Sequence, residues 1–266
     1  MLRTSDESTD KLEGSVVWFT WSNHEILALL AKRIETFFGR EVDEDRLLAM
    51  TQPELANFLL PVMTATFRGL GKWQEVPTYK VLMSLIRRRP RDLVKLCSLA
   101  ANHAREHNRE IIISEDFRSV FEEYSLGRVQ DTINEFRSEL PEIERLILNM
   151  KPNRVERSAA AGYVYTTGQL LEKINGIVSQ GQFALAGKQN ASVKDLAQFL
   201  YKINFLTARK RMPNGGLDRK YFEQNRYLSS AFADFGYEWE IHPAYRWALQ
   251  PEDISGIFEQ LELSDS

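Results

Sequence analysis

Arg87-Arg88-Arg89-Pro90-Arg91-Asp92 stands directly ahead of an amphipathic run that ends near His107. Proline fits the first turn of a helix, where its missing N–H is no loss, so a helix is expected to start at Pro90. Leu93, Leu96, Cys97, Ala100, Ala101 and Ala104 then fall on one stripe, the spacing of a core-facing helix. Four guanidiniums are thereby gathered at a helix N-terminus, whose free N–H groups and partial positive charge suit an anion. Arginine adds a bidentate fork for phosphate. The plainer reading is a solvated basic turn, with Asp92 a first-turn acid that matches the dipole.

Working towards the N-terminus, Pro77–Ile86 reads as a helix ending at the arginines, and Gly69-Leu70-Gly71 as a loop. Residues 43–68 read as helix divided by Pro53 and Pro61. Ser22 or Asn23 caps a helix that places Ile26, Leu29, Leu30, Ile34 and Phe37 on one face and stops at Gly39. Val16–Trp21 is rich in β-formers and reads as one strand. Beyond the arginine helix, Ile111-Ile112-Ile113 is extended and Ser114-Glu115-Asp116 caps a helix through Phe117, Val120, Phe121 and Tyr124, with Gly127 as a candidate interruption.

Residues 151–164 form a polar, then small-residue, connector. A helix from Thr166 or Thr167, a Gly/Gln/Ala loop over 180–190, and a second helix capped by Ser192 follow. Next comes a hairpin over Asn204–Arg211 and Leu217–Phe222, turning at Met212-Pro213-Asn214-Gly215-Gly216. A strand is expected at Tyr237–His242 and a closing helix at Pro243–Leu249. Helices followed by a hairpin give the order of a winged helix. The fold class is therefore mainly α with a small β component.

The 266 residues, 43% hydrophobic and 27% charged, suffice for one large or two ordinary globular domains. Cys97 is the only cysteine, which excludes a disulfide framework and points to a reducing, cytoplasmic compartment. No apolar stretch has the length of a membrane span, and Met1–Gly14 lacks the pattern of a signal peptide. The net charge of −3 hides an asymmetry: residues 188–226 hold nine basic and three acidic side chains, and 227–266 hold one basic and eight acidic. Lys194, Lys202, Arg209, Lys210, Arg211, Arg219 and Lys220 would put cations on a helix and a wing, the geometry that straddles a duplex backbone through salt-sensitive phosphate contacts. The competing reading is a partner-protein or homo-oligomer surface, or an internal one docked on the acidic 252–265 tail.

The succession of strand, helix, broken helices, Arg-Pro-Arg-Asp helix and Ile113-Ser114-Glu115-Asp116-Phe117 helix resembles the helical lid of AAA+ and STAND-type P-loop ATPases, particularly those of bacterial defence loci. Leu2-Arg3-Thr4-Ser5-Asp6 resembles the end of the core strand that precedes the lid. The resemblance implies a tail or strand end over 1–14, a lid-like domain over 15–150, a linker over 151–164 and a winged helix over 165–262. It implies that Arg91 is the sensor-2 arginine facing the nucleotide's terminal phosphate, with Arg89 the next candidate, while Arg87 and Arg88 have no matched role and are expected in solvent. The Gly-x4-Gly-Lys-Ser/Thr loop that grips phosphate and magnesium is absent: Gly71-Lys72 is followed by Trp73 and preceded at the required spacing by Thr66. The resemblance therefore implies a regulatory, nucleotide-sensing half whose ATP and Mg²⁺ are held by a P-loop core elsewhere, in cis or trans, and which hydrolyses nothing alone.

Two other chemistries compete with that regulatory role. One is a stand-alone winged helix that binds double-stranded DNA. The other is an inverted zinc-peptidase motif, His103-Ala104-Arg105-Glu106-His107, which would need a distant third ligand that nothing singles out. Cys97 lies on the core stripe and His242 precedes Pro243 at a strand end, so packing is the expected role of both. Tyr237, Trp239 and Ile241 alternate as one buried strand face.

Overall fold

The computed structural model describes residues 20–158, 162–213, 216–225, 228, 236–249, 257–258 and 261–263. The strand expected over Val16–Trp21 lies, but for Thr20 and Trp21, outside these residues, as do Leu2–Asp6 and most of the acidic tail. The described chain is mainly α with a small β component. No helix in it is long and apolar enough to cross a membrane.

Helix α1 (Asn23–Phe37) begins with a reciprocal cap. Ser22 Oγ accepts from the Glu25 N–H while the Glu25 carboxylate accepts from the Ser22 N–H at 2.7 Å, and two otherwise orphaned donors are satisfied. It stops at Gly39, whose φ of +71° is the left-handed conformation that ends a helix. Two short helices follow, α2 (Glu44–Ala49) and α3 (Gln52–Ala56). Pro53 sits in the first turn of α3, so it opens a helix rather than dividing one. A two-residue antiparallel ribbon, β1 (Thr66–Phe67) with β2 (Val76–Pro77), was not expected from the sequence and leads into α4 (Thr78–Leu85).

Helix α5 (Pro90–Glu106) starts at the proline as anticipated and buries Leu93, Leu96, Ala100 and Ala104. It packs along α6 (Ser114–Phe136), which runs through Gly127 without interruption. One solvent-facing glycine costs about 1 kcal/mol of helix propensity, which the buried flanks of a 23-residue helix override. Helix α7 (Ile143–Asn149) follows, and within and just past the expected connector lie α8 (Arg154–Ser158) and β3 (Val164–Tyr165).

Then come α9 (Thr167–Val178) and α10 (Val193–Lys202), each opened by a capping box, at Thr166 with Gln169 and at Ser192 with Asp195. The anticipated hairpin is present as β4 (Leu206–Arg211) and β5 (Leu217–Lys220). The sheet is larger than that hairpin. β6 (Glu238–Ile241) inserts between β3 and β4, giving the antiparallel order β3-β6-β4-β5. β6 is thus a central strand with both faces covered.

The chain then returns to the helical half. A 3₁₀ turn (Pro243–Tyr245) and α11 (Arg246–Leu249) lie on α6, where Ser125 Oγ accepts from the Ala248 N–H. Trp247 and Phe258 enter an aromatic group with Phe67, Trp73 and Phe121, ring centroids 4.7–6.3 Å apart. One hydrophobic core therefore runs through both halves.

Candidate functional site: the arginine turn

The four arginines divide sharply. Arg87 was expected in solvent and is instead fully buried. The chain leaves α4 extended at Ile86, which sends the Arg87 side chain inward. Its Nε and Nη2 donate to the Asp92 carboxylate at 2.9 and 3.3 Å. Its Nη1 donates to Thr132 Oγ1 of α6 (2.9 Å) and to Tyr245 Oη of the C-terminal 3₁₀ turn (2.7 Å). One guanidinium therefore ties three elements together, and its planar fork is what makes that valence possible.

Arg88, also expected in solvent, takes a φ of +53° and stacks on Tyr221, 4.8 Å from the ring centroid. Of the other two, Arg91 is exposed and Arg89 is part-buried. Both lean on one carboxylate, Glu135 of α6, at 2.8 and 3.4 Å, and the Arg91 side chain is 59% exposed.

Asp92 is more than the dipole-matching acid read from the sequence, because Arg128 of α6 joins Arg87 on it. Burial would raise its pKa, but the charge of Arg87, its hydrogen bond and then Arg128 outweigh burial and hold the carboxyl down at about 2.

The basic residues of the second half have mostly internal partners. Arg219 and Arg209 are buried, not surface cations. Arg219 donates to both oxygens of Glu240, at 2.7 and 3.2 Å, and Arg246 joins it there, with Arg209 Nη1 3.8 Å away. Glu262, in the acidic tail, takes Arg209, Arg211 and Lys72. Lys202 pairs with Glu139, Lys220 with Asp218, and Lys210 lies over the Tyr237 ring. Lys194 is exposed on α10.

Sequence reasoning passed over Glu240 and Arg246. Alternation along β6 assigns Glu240 to the outer face, and the only signal for its burial was an excess of arginines on the neighbouring strand. Burial alone would raise the Glu240 pKa, yet Arg219 and Arg246 hold it well below the usual carboxylate range.

His242 is structural, as expected. Its Nδ1 accepts from the Ala244 N–H at 3.1 Å, so Nε2 carries the proton and donates to Tyr221 Oη at 3.1 Å. Burial, then the charges of Arg219 and Arg87, lowers its pKa to about 3. The unfolded chain binds this proton below about pH 6.5 and the native state does not. Stability is therefore complete above pH 6.5 and lost as pH falls towards 3. Unfolding should take up about one proton between pH 6.5 and 5, a slope of about 1.4 kcal/mol per pH unit. His242→Asn keeps the cap acceptor without the titration, and denaturation midpoints across that window should lose the slope.

His103 and His107 are stacked 4.2 Å apart at the end of α5. His103 Nδ1 donates to Asp116 at 2.7 Å, a carboxylate also held by Arg109, and His107 Nδ1 donates to the His103 carbonyl. Among the described residues no group of three His, Cys, Asp or Glu side chains is placed to hold a metal, so the zinc-peptidase motif finds no third ligand there. Cys97 is part-buried on the α5 stripe, and burial pushes its thiol up to about 12, which favours the packing role.

A family model described as the FunZ-associated C-terminal helical domain matches residues 61–133, a span that contains α4, α5 and the arginine turn. The chain is 23% identical over 271 residues to a putative transposon gamma-delta 80.3 kDa protein of Escherichia coli (strain K12), covering 95% of this chain and 34% of that protein. It is 26% identical over 135 residues to Allergen Alt a 2 of Alternaria alternata, covering 50% of this chain and 62% of the relative. The chain thus spans about a third of the first relative's length and less than two thirds of the second's. No solved structure matches it.

Proposed function

We propose that this chain is the regulatory, nucleotide-sensing portion of a larger STAND/AAA+-like ATPase, with a lid-like part over 15–150, a linker over 151–164 and a winged helix over 165–262. One observation carries the reading. Arg91 stands in solvent at the start of α5 with Arg89 part-buried beside it, two cations sharing the single carboxylate of Glu135, with charge to spare for a phosphate. The buried staple of Arg87 lies in the same turn and reaches Tyr245. A change in how Arg91 is engaged thereby has a rigid route to the C-terminal segment. The comparisons support a module of something longer, since the family description is that of a C-terminal helical domain and the transposon-associated relative extends far beyond the matched part.

In this reading a P-loop core, in cis or trans, holds ATP and Mg²⁺, and Arg91 contacts the terminal phosphate. The reading that the chain binds DNA by itself draws less support, because Arg209, Arg211, Arg219, Lys202 and Lys220 are each paired with the protein's own carboxylates.

The test uses the intact polypeptide or complex that carries the Gly-x4-Gly-Lys-Ser/Thr loop. Arg91→Ala should lower ATP turnover at least tenfold while nucleotide affinity changes only a few-fold, since arginines on a transferring phosphoryl group are worth about 10³–10⁵ in rate at most. Arg89→Ala should have the smaller effect. Unchanged turnover in both variants, or no P-loop polypeptide associated with this chain, would overturn the proposal.

A further inference from the structure

Arg88 differs from every arginine around it. Arg87, Arg89, Arg91, Arg128, Arg209, Arg219 and Arg246 all rest on carboxylates. Arg88 has no hydrogen-bond acceptor among the described residues, and its Nε is buried without a partner. The carboxylate that lines the same cleft, Glu223, and the one that serves the neighbouring arginines, Glu135, are both engaged elsewhere. Glu223 accepts twice from the Asn204 side-chain amide, at 2.8 and 3.1 Å, and Glu135 serves Arg89 and Arg91.

The backbone at Arg88 is also held at a positive φ, an outlier for a long side chain and one that structures keep where the surroundings over-determine it. In that conformation the guanidinium lies over the ring of Tyr221, whose hydroxyl is hydrogen-bonded to His242. A guanidinium over an aromatic face uses the ring for its cationic carbon and leaves its N–H donors for other partners.

Arg88 lines a cleft of about 150 Å³ between the α4–α5 turn and the segment after β5, together with Trp21, Arg89, Tyr221, Glu223 and Gln224. One water needs only about 10–15 Å³ of such space. A single small oxyanion fits that space.

We infer that this cleft binds a small oxyanion, phosphate or carboxylate, through the N–H donors of Arg88 stacked on Tyr221. Binding here bridges the helical half and the sheet half, because Arg88 comes from the first and Tyr221 from the second. It needs no P-loop core, so it stands or falls separately from the nucleotide-sensing role of Arg91.

The test is titration of the purified chain with inorganic phosphate, acetate and ADP, by calorimetry and by thermal shift, at constant ionic strength against sodium chloride. Saturable phosphate binding with a raised melting temperature is expected in the parent, and at least tenfold weaker binding in Arg88→Asn. Asparagine tolerates positive φ, so that variant should retain the turn, as circular dichroism would report. Arg88→Lys keeps the charge but loses the planar fork, and should weaken binding several-fold; this variant keeps the test decisive if Arg88→Asn misfolds. Acetate binding as tightly as phosphate identifies a carboxylate as an acceptable ligand, and phosphate without acetate identifies a phosphoryl group. ADP binding at the phosphate affinity, and lost with it in Arg88→Asn, places a nucleotide's phosphate there. No saturable binding of any of the three, or equal binding in the parent and both variants, overturns the inference.

Discussion

Glu240→Gln should lower the unfolding free energy by about 3–5 kcal/mol, the loss expected when one partner of a buried ion-pair group is removed. The carboxylate is fully buried and bonded by Arg219 and Arg246, with Arg209 close by. Glutamine preserves the shape but presents an NH₂ to a guanidinium, so one acceptor becomes a donor facing donors. Arg219 and Arg246 are then left as buried cations without their shared compensating charge. Native proteins are stable by only about 5–15 kcal/mol, so the change would consume a large part of the total. The urea midpoint should fall with little change in slope, and the melting temperature should fall by roughly 10 °C. Adding Arg219→Met should restore part of the loss, because the stranded charge contributes more of the cost than the missing attraction does. If Glu240→Gln instead unfolds at the parent's midpoint, water reaches this site and the ion-pair core is not what holds the sheet.

Where each residue's partners are local, the fold was legible in the chain. Pro90, Ser22 with Glu25, Thr166 with Gln169 and Ser192 with Asp195 mark helix starts through contacts within four residues, and all four helices begin there. The β4–β5 hairpin was equally plain. What eluded the sequence depends on contacts far along the chain. Arg87 is buried because Thr132 and Tyr245 meet it from 45 and 158 residues away. Glu240 is buried because β6 becomes a central strand, and period-2 alternation, which assumes one wet face, fails there. The site divides in the same way. Arg89 and Arg91, whose positions follow from the start of α5, stand where the helix reading puts them. Arg219 and Arg209 were counted as surface cations, although an excess of arginine on a strand beside a carboxylate-bearing strand can equally signal a buried pair. The short acidic tail contributes Glu262 to that pairing, as the internal-docking reading allowed.

Asp92→Asn should be the other severe substitution, and it separates a stability role from a coupling role. It withdraws the charge from two buried arginines. Arg128 retains Asp131 at 2.8 Å, whereas Arg87 keeps only the neutral hydroxyls of Thr132 and Tyr245. A loss of about 3 kcal/mol is expected, mostly from the stranded Arg87. Arg87→Met should be milder, because Asp92 keeps Arg128 and the methionine fills much of the space. Acid distinguishes the two causes. With a native pKa of about 2 against an ordinary 3.8, Asp92 supplies stability that is complete above pH 3.8 and is lost as pH falls towards 2. That amounts to about 2 kcal/mol, and Asp92→Asn should abolish this part of the acid limb, having already lost it at neutral pH. The coupling shows in amide exchange. Arg87 is the polar link between the α4–α5 turn and Tyr245, so in Asp92→Asn protection should fall in residues 243–249 as well as around the turn. Loss confined to the turn would mean that aromatic packing of Trp247 and Phe121 holds the C-terminal segment unaided, and that the staple carries no signal from Arg91 to that segment.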